Sequence, residues 1–442
     1  MDWRLHSALP GIAWPAIPSP QGAAVLALLY QLEQSQWLVP ARLREMQMRQ
    51  LSLVLRHAYE HVPYYRNRWG AGSHALSDLP LLTRHELVDN YDRLKSESIP
   101  REHGNVAEAR TSGSTGTPVR LLKTRFLQLL WNAITLRDHR WHRRDLSTTF
   151  AAIRMARTGE HESWGPATAG LVQTGRSFTL DVRADIDTQL EWLQRLRPSY
   201  LLTYPSNASA LAAAALDRKL EMHRLREVRT MGELLTPETR QACHDAWGTP
   251  LVDLYSAEEV GYVALQCPDS EHYHVQSEAL LVEVLDDRGE PALPGETGRL
   301  VVTDLHNFAM PLIRYDIGDY AEVGAPCRCG RGLPVLRRIV GRARNMLVAA
   351  DGRRYWPTFG QRSFFEIAPR LRQHQFVQTA PDFVEARLVV SGVLTDSQSQ
   401  ALRALIESKL PAGMRVGIVQ VESLARGAGG KYEDFVSEVA RS

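Results

Sequence analysis

The alternation of helical and strand-like segments between residues 186 and 256 constrains the fold of this chain more than any other feature. In order, the pattern gives a helix at 186–196, a strand at 200–204, a strand at 228–231, a helix at 236–247 and a strand at 250–255. Pro198 ends the first helix, and Thr236 is a typical N-cap before a proline in the first helical position. Strands that alternate with helices at this length predict an α/β domain with parallel strands.

The segments on either side extend this plan. Residues 1–22 carry four prolines and predict an irregular arm, and apolar residues at helical spacing predict a helix over about 36–61. Polar and apolar residues alternate between 278 and 323, which predicts a mainly antiparallel, barrel-like β section. The chain after this section predicts a separate small α+β unit. We therefore expect a large N-terminal domain at 1–340 and a smaller C-terminal domain at 341–442.

The composition is that of an ordinary globular protein, with 44% hydrophobic and 23% charged residues. The net charge of +2 gives no general attraction to nucleic acid or to an anionic membrane, so neither is an expected partner. The first residues lack the basic start of a signal peptide, and the apolar run at 23–30 is too short to span a bilayer. We expect a cytoplasmic protein that is a monomer or a homodimer.

A run of small and hydroxyl-bearing residues between Thr111 and Pro118 has the composition of a phosphate-binding loop. Its candidate phosphate ligands are Ser112, Gly113, Ser114, Thr115, Gly116 and Thr117. The run lacks the Gly-Lys-Ser/Thr ending of the NTPase P-loop, so a lysine for phosphate must come from elsewhere in the chain. Taken alone, such a run is more often a flexible loop, and its interpretation depends on the other motifs.

Four further segments follow in a fixed order. They are the strand end at 255–261 with its two glutamates, the acidic turn at 314–319, the Gly341-Arg342 pair, and Gly429-Gly430-Lys431 near the end of the chain. Open α/β sheets bind their ligands at the carboxyl ends of strands, which is where the first of these segments lies.

Together with the hydroxyl-rich run, this ordered set resembles the adenylate-forming superfamily of acyl-CoA synthetases, and within it the phenylacetate-CoA ligase family. The resemblance extends over nearly the whole chain, and its most specific stretches are 111–118 and 310–319. It implies two half-reactions: a carboxylate attacks the α-phosphorus of Mg-ATP to give acyl-AMP and pyrophosphate, and a thiol then displaces AMP. It also implies a C-terminal domain that swings between the two half-reactions.

The resemblance assigns roles to individual residues. Lys431 matches the catalytic lysine, Glu259 the Mg²⁺ ligand, and Asp319 the aspartate that binds the ribose hydroxyls. Arg342 resembles the arginine that contacts the nucleotide near the hinge and is counted with the catalytic residues. Four residues complete the predicted nucleotide and acid site: Gly232, Glu233, Tyr255 and Ser256.

Three of the four cysteines fall within one short window and predict a structural zinc site. Cys267, Cys327 and Cys329, with His274 or His272, would supply three thiolates and one imidazole, a closed tetrahedral set. The alternative is a group of reduced thiols in a packed loop. The fourth cysteine, Cys243, is expected in the core of its helix.

A basic stretch at 137–144 follows the phosphate loop and contains Arg137, Arg140, Arg143 and Arg144. We interpret it as a solvated helix face, with CoA phosphates or an acidic carrier protein as the alternative partner.

The sequence therefore predicts an ATP-dependent, AMP-forming ligase that activates a small carboxylic acid, with an aryl acid suggested by the resemblance. CoA is the expected thiol, and a carrier-protein phosphopantetheine or an amine are the alternative acceptors. A nucleotide-binding protein without catalytic activity is the rival from another class. The expected cofactors are ATP, Mg²⁺ and a structural Zn²⁺, with CoA as co-substrate.

Overall fold

The structure is a computed structural model. The structure describes residues 3–70, 75–111, 118–342, 345–357, 364, 366–426 and 431–439. Within these ranges the α-helices are α1 (Pro20–Ser35), α2 (Pro40–His61), α3 (Pro63–Arg68), α4 (Arg84–Asp89), α5 (Arg125–Trp141), α6 (Ile186–Leu196), α7 (Pro205–Asp217), α8 (Pro237–Trp247) and α9 (Asp396–Glu407).

The strands of the N-terminal part fall into a hairpin and one long sheet. They are β1 (Val106–Arg110), β2 (Arg120–Thr124), β3 (Phe150–Arg154), β4 (Gly159–His161), β5 (Ser177–Asp181), β6 (Tyr200–Thr203), β7 (Glu227–Met231), β8 (Leu251–Ala257), β9 (Gly261–Gln266), β10 (Tyr273–Val275), β11 (Leu280–Leu285), β12 (Thr297–Asp304), β13 (Tyr315–Val323) and β14 (Val335–Arg342).

The later strands are β15 (Leu347–Val348), β16 (Arg354–Tyr355), β17 (Leu371–Ala380), β18 (Phe383–Val390), β19 (Arg415–Gln420) and β20 (Phe435–Ser437). β1 pairs with β2, and β15 pairs with β16.

One twelve-stranded sheet organises the described N-terminal residues, in the order β11-β12-β13-β14-β10-β9-β8-β7-β6-β3-β5-β4. Its strands β5, β3, β6, β7 and β8 are parallel, as the helix and strand alternation predicts. The strands from β9 to β14 are antiparallel, and they continue the parallel part within the same sheet. The antiparallel section predicted from the sequence is therefore directly attached to the α/β section.

Local signals explain where several helices begin and end. Thr236 accepts a hydrogen bond from the Thr239 amide ahead of α8, and Gly248 ends this helix in the left-handed region at φ +64°. α9 begins with a capping box between Thr395 and Gln398. The predicted irregular arm is shorter than expected, because α1 begins at Pro20, with Ser19 as its N-cap and the proline in its first turn.

The hydrophobic residues form separate cores. The N-terminal sheet packs against helices on both faces, and Cys243 lies fully buried in one of these cores, as expected. A different core joins Phe376, Leu388, Leu402 and Ile406 around the sheet β19-β18-β17-β20, which we call the C-terminal sheet. Since Gly341 and Arg342 still pair with β13 in the large sheet, the division at residue 340 stays a prediction.

Candidate active site

Several predicted site residues gather at one edge of the large sheet, where its parallel strands end, and we call this place the cleft. Because β6, β7 and β8 run in the same direction, the residues that follow them meet at one edge of the sheet. Tyr204 follows β6, Gly232 follows β7, and the turn containing Glu259 joins β8 to β9. The sheet order thus gathers three of the segments that the sequence singled out.

Asp319 lies in β13 and is held from two sides. The Tyr255 hydroxyl donates a hydrogen bond of 2.6 Å to its Oδ2, and the Arg342 Nε lies 3.2 Å from its Oδ1. Arg342 reaches it because the two residues are partners in the β13–β14 ladder. Burial and the neighbouring Asp319 charge raise the pKa of Tyr255 well above its ordinary value, so its phenol stays a neutral donor. The carboxylate is therefore fixed before any ligand binds.

Glu259 pairs with an arginine that the sequence analysis did not single out. Arg84, the first residue of α4, places its Nη1 3.2 Å from the Glu259 Oε1, and the Tyr315 hydroxyl lies 3.5 Å from the same oxygen. The Glu259 side chain is 11% exposed. The Glu259 carboxylate is thus largely buried and is contacted by two neighbouring side chains.

Lys431 enters this cleft from the far end of the chain. Its Cε lies 3.2 Å and its Nζ 3.7 Å from the position that a Cβ on Gly232 would occupy. Burial lowers the pKa of Lys431 below its ordinary value, Arg342 lowers it further, and the carboxylates of Asp319, Glu259 and Glu233 oppose this shift. The structure therefore brings the predicted lysine, both predicted carboxylates and Arg342 together.

Gly232 adopts a left-handed backbone conformation with φ +79°. A side chain here would be strained, and its Cβ would lie unusually close to the Lys431 side chain. Glycine at this position therefore allows the lysine and the end of β7 to approach closely.

Glu233 uses its carboxylate within the protein. Its Oε2 accepts a hydrogen bond of 2.9 Å from the Ser206 amide, and its Oε1 accepts one of 2.5 Å from the Tyr432 amide. The Arg426 Nη1 lies 3.4 Å from the same Oε1. Burial raises the pKa of Glu233, while hydrogen bonds from Ser206 and the charge of Arg426 act in the opposite direction. A direct contact of Glu233 with nucleotide stays a prediction.

The predicted phosphate ligands Ser112, Gly113, Ser114, Thr115, Gly116 and Thr117 lie outside the described residues. Their flanks are described: the Val119 amide donates a 3.0 Å hydrogen bond to the Thr111 Oγ1, which closes the β1–β2 hairpin. The Arg84 Nη2 lies 3.5 Å from the same Thr111 oxygen. Arg84 thus connects the base of this hairpin with Glu259. Ser256, the remaining predicted residue, lies half-buried near the end of β8.

Only weak sequence signals pointed to Arg84 and Arg426. A Thr83-x-x-Glu86 capping box marks the start of α4 and so fixes Arg84 at the first position of that helix. Nothing in the spacing, however, relates Arg84 to Glu259, which lies 175 residues away. The same is true of Arg426 and Glu233, which lie 193 residues apart.

A second cluster lies at the ends of β9 and β10, and its four residues are Cys267, His274, Cys327 and Cys329. We call it the cysteine–histidine cluster. One ligand atom of each residue lies within 4.8 Å of all the others. Cys267 and Cys327 place their Sγ atoms 3.8 Å apart, and the His274 Nε2 lies 3.4 Å from the Cys329 Sγ.

These spacings suit a tetrahedral metal. Zinc bonds of about 2.3 Å to sulfur and 2.0–2.1 Å to nitrogen separate two ligand atoms by about 3.6–3.8 Å. The sheet order creates the cluster, because β10 lies between β9 and β14 and the two later cysteines precede β14. Of the two candidate histidines, His274 belongs to the cluster, whereas the His272 ring contacts the Ser270 hydroxyl at 2.9 Å.

The basic stretch after the phosphate loop is not a solvated face throughout. Arg137 and Arg144 have fully buried side chains, with Arg137 paired to Glu278 and Arg144 to Asp138 and Glu227. The interpretation of these two arginines as surface cations was wrong, because the end of α5 faces the sheet and its charges are matched by buried carboxylates.

Known proteins resemble this chain in sequence. The model of a family described as AMP-binding enzyme matches residues 80–310. A phenylacetate-coenzyme A ligase from Thermus thermophilus is 28% identical over 376 residues, which is 79% of this chain and 81% of the relative. A phenylacetate-coenzyme A ligase from Aromatoleum evansii is 27% identical over 329 residues, 69% of this chain and 72% of the relative. The resemblance predicted from the sequence is confirmed.

The fold also matches a solved structure. A crystal structure of 2-hydroxyisobutyryl-CoA ligase in the postadenylation state superposes with a TM-score of 0.72 and 20% identity, covering 92% of each chain. This likeness confirms the predicted α/β fold. Within the described residues, none of the helices combines the length and the apolar character needed to cross a membrane.

Proposed function

Because this chain belongs to the AMP-binding enzyme family, we propose that it is an ATP-dependent, AMP-forming carboxylate ligase. It joins a small carboxylic acid to AMP with release of pyrophosphate and then transfers the acyl group to a thiol, with CoA as the acceptor. In the first step an acid oxygen bonds to the α-phosphorus while the bond to pyrophosphate breaks. In the second step the sulfur bonds to the acyl carbon and AMP leaves.

The observation that carries this proposal is the position of Lys431 in the cleft. Negative charge on the α-phosphoryl oxygens must be met by a cation that is fixed in advance and shielded from water. Lys431 lies half-buried beside Gly232, in the field of Arg342, Asp319 and Glu259. Such a lysine has the charge and the access that attack on an α-phosphate requires.

The other cleft residues suit ATP as the substrate. Asp319, fixed by Tyr255 and Arg342, offers acceptor oxygens for the two ribose hydroxyls. Glu259 offers the single largely buried carboxylate with which Mg²⁺ is typically held beside phosphates. A magnesium ion there would neutralise the charge of pyrophosphate. Arg84 contacts the same carboxylate and would help to orient it.

An aromatic acid is the substrate class that we favour. The relatives described above are named for phenylacetate, and the cleft edge carries the rings of Tyr204 and Tyr255. Beside the turn that follows Glu259, the Trp131 ring lies 3.5 Å from the position of a Cβ on Gly261 and stacks on Tyr262 at 4.1 Å. These apolar surfaces suit a flat ring.

A panel of carboxylic acids tests the activity. We expect acid-dependent pyrophosphate release from the wild-type protein, loss of at least 100-fold in Lys431→Ala, consistent with losing a charge-stabilising group, and near-normal release in Lys409→Ala. Lys409 is an exposed lysine of the same part of the chain and serves as the matched control. Absence of acid-dependent release from the wild type would favour the rival, a nucleotide-binding protein without catalysis.

The acceptor is tested separately with the best acid of the panel. The adenylated enzyme is offered CoA, a phosphopantetheinyl carrier protein and an amine, and the products are separated by mass. A CoA thioester formed fastest supports the proposal, while faster acylation of the carrier or the amine would replace CoA by that acceptor.

We further propose that the cysteine–histidine cluster holds a structural zinc ion. Two of its ligand-atom distances, 3.8 Å between Cys267 and Cys327 and 3.4 Å between His274 and Cys329, are close to those of a tetrahedral zinc site, and four protein ligands would fill the coordination of a closed site. About one zinc per chain is expected in the wild type and in His272→Ala, and much less in His274→Ala. Equal zinc in the two variants would contradict the ligand assignment. The cytoplasmic location and the monomeric or homodimeric state stay predictions.

A further inference from the structure

The carboxylate of Glu233 connects two parts of the molecule that are distant in sequence. Glu233 follows β7 of the large sheet, and two of its partners, Arg426 and Tyr432, belong to the tail of the chain. Only 4% of the Glu233 side chain is exposed. A carboxylate at such a depth, with charge-assisted hydrogen bonds, is a strong and specific contact.

The two tail partners flank Lys431. Arg426 and Tyr432 stand on either side of residues 427–431, and three of the four residues before the lysine are glycines. Glycine loses more conformational freedom on ordering than any other residue, so a lysine that follows glycines needs fixed anchors. Glu233 binds both anchors with one oxygen, since the Tyr432 amide and the Arg426 guanidinium both point to Oε1.

Both anchors have a second attachment. The Arg426 Nη1 also donates a 3.0 Å hydrogen bond to the Ser206 hydroxyl at the start of α7. The Tyr432 hydroxyl donates to the carbonyl oxygen of His374 in β17 of the C-terminal sheet. Tyr432 is thus held by the C-terminal sheet through its side chain and by the large sheet through its backbone.

We infer that Glu233 is a positioning residue that latches the tail in the arrangement used for adenylation, with Lys431 in the cleft. The inference rests on the proposed function. The latch stabilises this arrangement without touching the reacting atoms, so it acts on the first half-reaction. Thioester formation, which in this mechanism follows a swing of the C-terminal part, does not need these contacts.

The half-reactions are measured separately with the acid chosen from the panel. The first is followed by acid-dependent exchange of pyrophosphate into ATP, and the second by thioester formation from supplied acyl-AMP and CoA. In Glu233→Gln one carboxylate oxygen is replaced by an NH₂ group, which cannot accept a hydrogen bond. The side chain can then keep the hydrogen bond from the Ser206 amide or the one from the Tyr432 amide, but not both, and it loses its charge toward Arg426. We expect the first half-reaction to slow about ten- to 100-fold, the range for a lost hydrogen bond to a charged group. The second half-reaction should stay within about twofold of the wild type.

Arg426→Gln tests the latch from the tail, and we expect the same split between half-reactions even if Glu233→Gln folds poorly. Asp217→Asn is the matched control. Asp217 ends α7 and pairs with Arg372 of the C-terminal sheet at 3.2 Å. The substitution therefore removes an exposed ion pair between the same two parts of the molecule. We expect both half-reactions of this control to stay within about twofold of the wild type, because exposed ion pairs contribute little.

Four results would overturn the inference. One is an equal slowing of both half-reactions in Glu233→Gln and Arg426→Gln, as expected of general damage. Another is a rise confined to the KM for ATP at unchanged kcat, as expected of a direct nucleotide contact. The third is an unchanged first half-reaction in an active enzyme, which would remove the latch and leave the proposed function intact. A wild-type protein that is inactive with every acid of the panel would refute both the proposed function and the latch.

Discussion

Replacing Tyr255 by phenylalanine removes a single oxygen from the cleft and tests the role of Asp319. The lost hydrogen bond is 2.6 Å long, partly buried and made to a carboxylate, which places its contribution at about 1.5–3 kcal/mol. Arg342 remains 3.2 Å from the other carboxylate oxygen, so Asp319 keeps a counter-charge and the effect should fall near the lower limit. If Asp319 binds the ribose, the KM for ATP should rise about tenfold.

The assay is pyrophosphate release at varied ATP and saturating acid, then at varied acid and saturating ATP. We expect the KM for the acid to change less than about twofold, because Tyr255 acts through the carboxylate on the nucleotide side. The melting temperature should also fall, since Asp319 loses a buried partner.

Tyr273→Phe provides the matched control. The Tyr273 hydroxyl donates a 2.7 Å hydrogen bond to buried Asp253, in the same sheet but outside the cleft. The Tyr273→Phe variant should show a similar fall in melting temperature and keep the wild-type KM for ATP. If Tyr255→Phe behaves like Tyr273→Phe, with lower stability and an unchanged KM for ATP, the assignment of Asp319 to the ribose is refuted.

Three further outcomes are expected. Burial and Arg342 lower the pKa of Lys431, so the lysine loses its charge at a pH below the ordinary pKa of a lysine. The rate of adenylation should therefore decline as the pH rises through this lowered pKa. In Lys431→Arg the decline should move to higher pH or disappear. Gly232→Ala should slow adenylation about tenfold, because φ +79° costs alanine about 1–2 kcal/mol and the new Cβ would lie 3.2 Å from the Lys431 Cε. Gly248→Ala is the control: its backbone has φ +64° with open space around it, so this variant should lose stability and keep its rate of adenylation. Removing metal from the cysteine–histidine cluster with a strong chelator should lower the melting temperature, and an unchanged melting temperature would contradict a structural zinc site.

Much of the fold could be predicted because the decisive signals are local. α8 begins and ends where Thr236, Pro237 and Gly248 place its boundaries, and α9 follows its capping box. The start of α1 was missed because a proline-rich arm and a proline in a first helical turn look alike in sequence, and Ser19 alone did not separate them. Helix termini are thus predictable where both a cap and a stop residue are present.

The candidate site could be predicted only in part. Lys431, Glu259 and Asp319 belong to ordered motifs, and their convergence follows from the predicted family. The partner contacts of Arg84 and Glu233 could not be predicted, since an ion pair between residues well over a hundred positions apart leaves no periodic trace. Residues that hold the motif residues in place are therefore found only from the three-dimensional structure.

The charges of the cleft explain why Lys431 suits a phosphate. Each of the three cleft carboxylates has its own guanidinium: Arg84 for Glu259, Arg342 for Asp319 and Arg426 for Glu233. Within the described part of the chain, Lys431 has neither an ion pair nor a hydrogen bond. Partial burial lowers the pKa of Lys431 and so disfavours its charged form, and an anionic ligand would oppose that shift. Each carboxylate thus already has an arginine as counter-charge, and the lysine charge is available to the phosphate of a substrate.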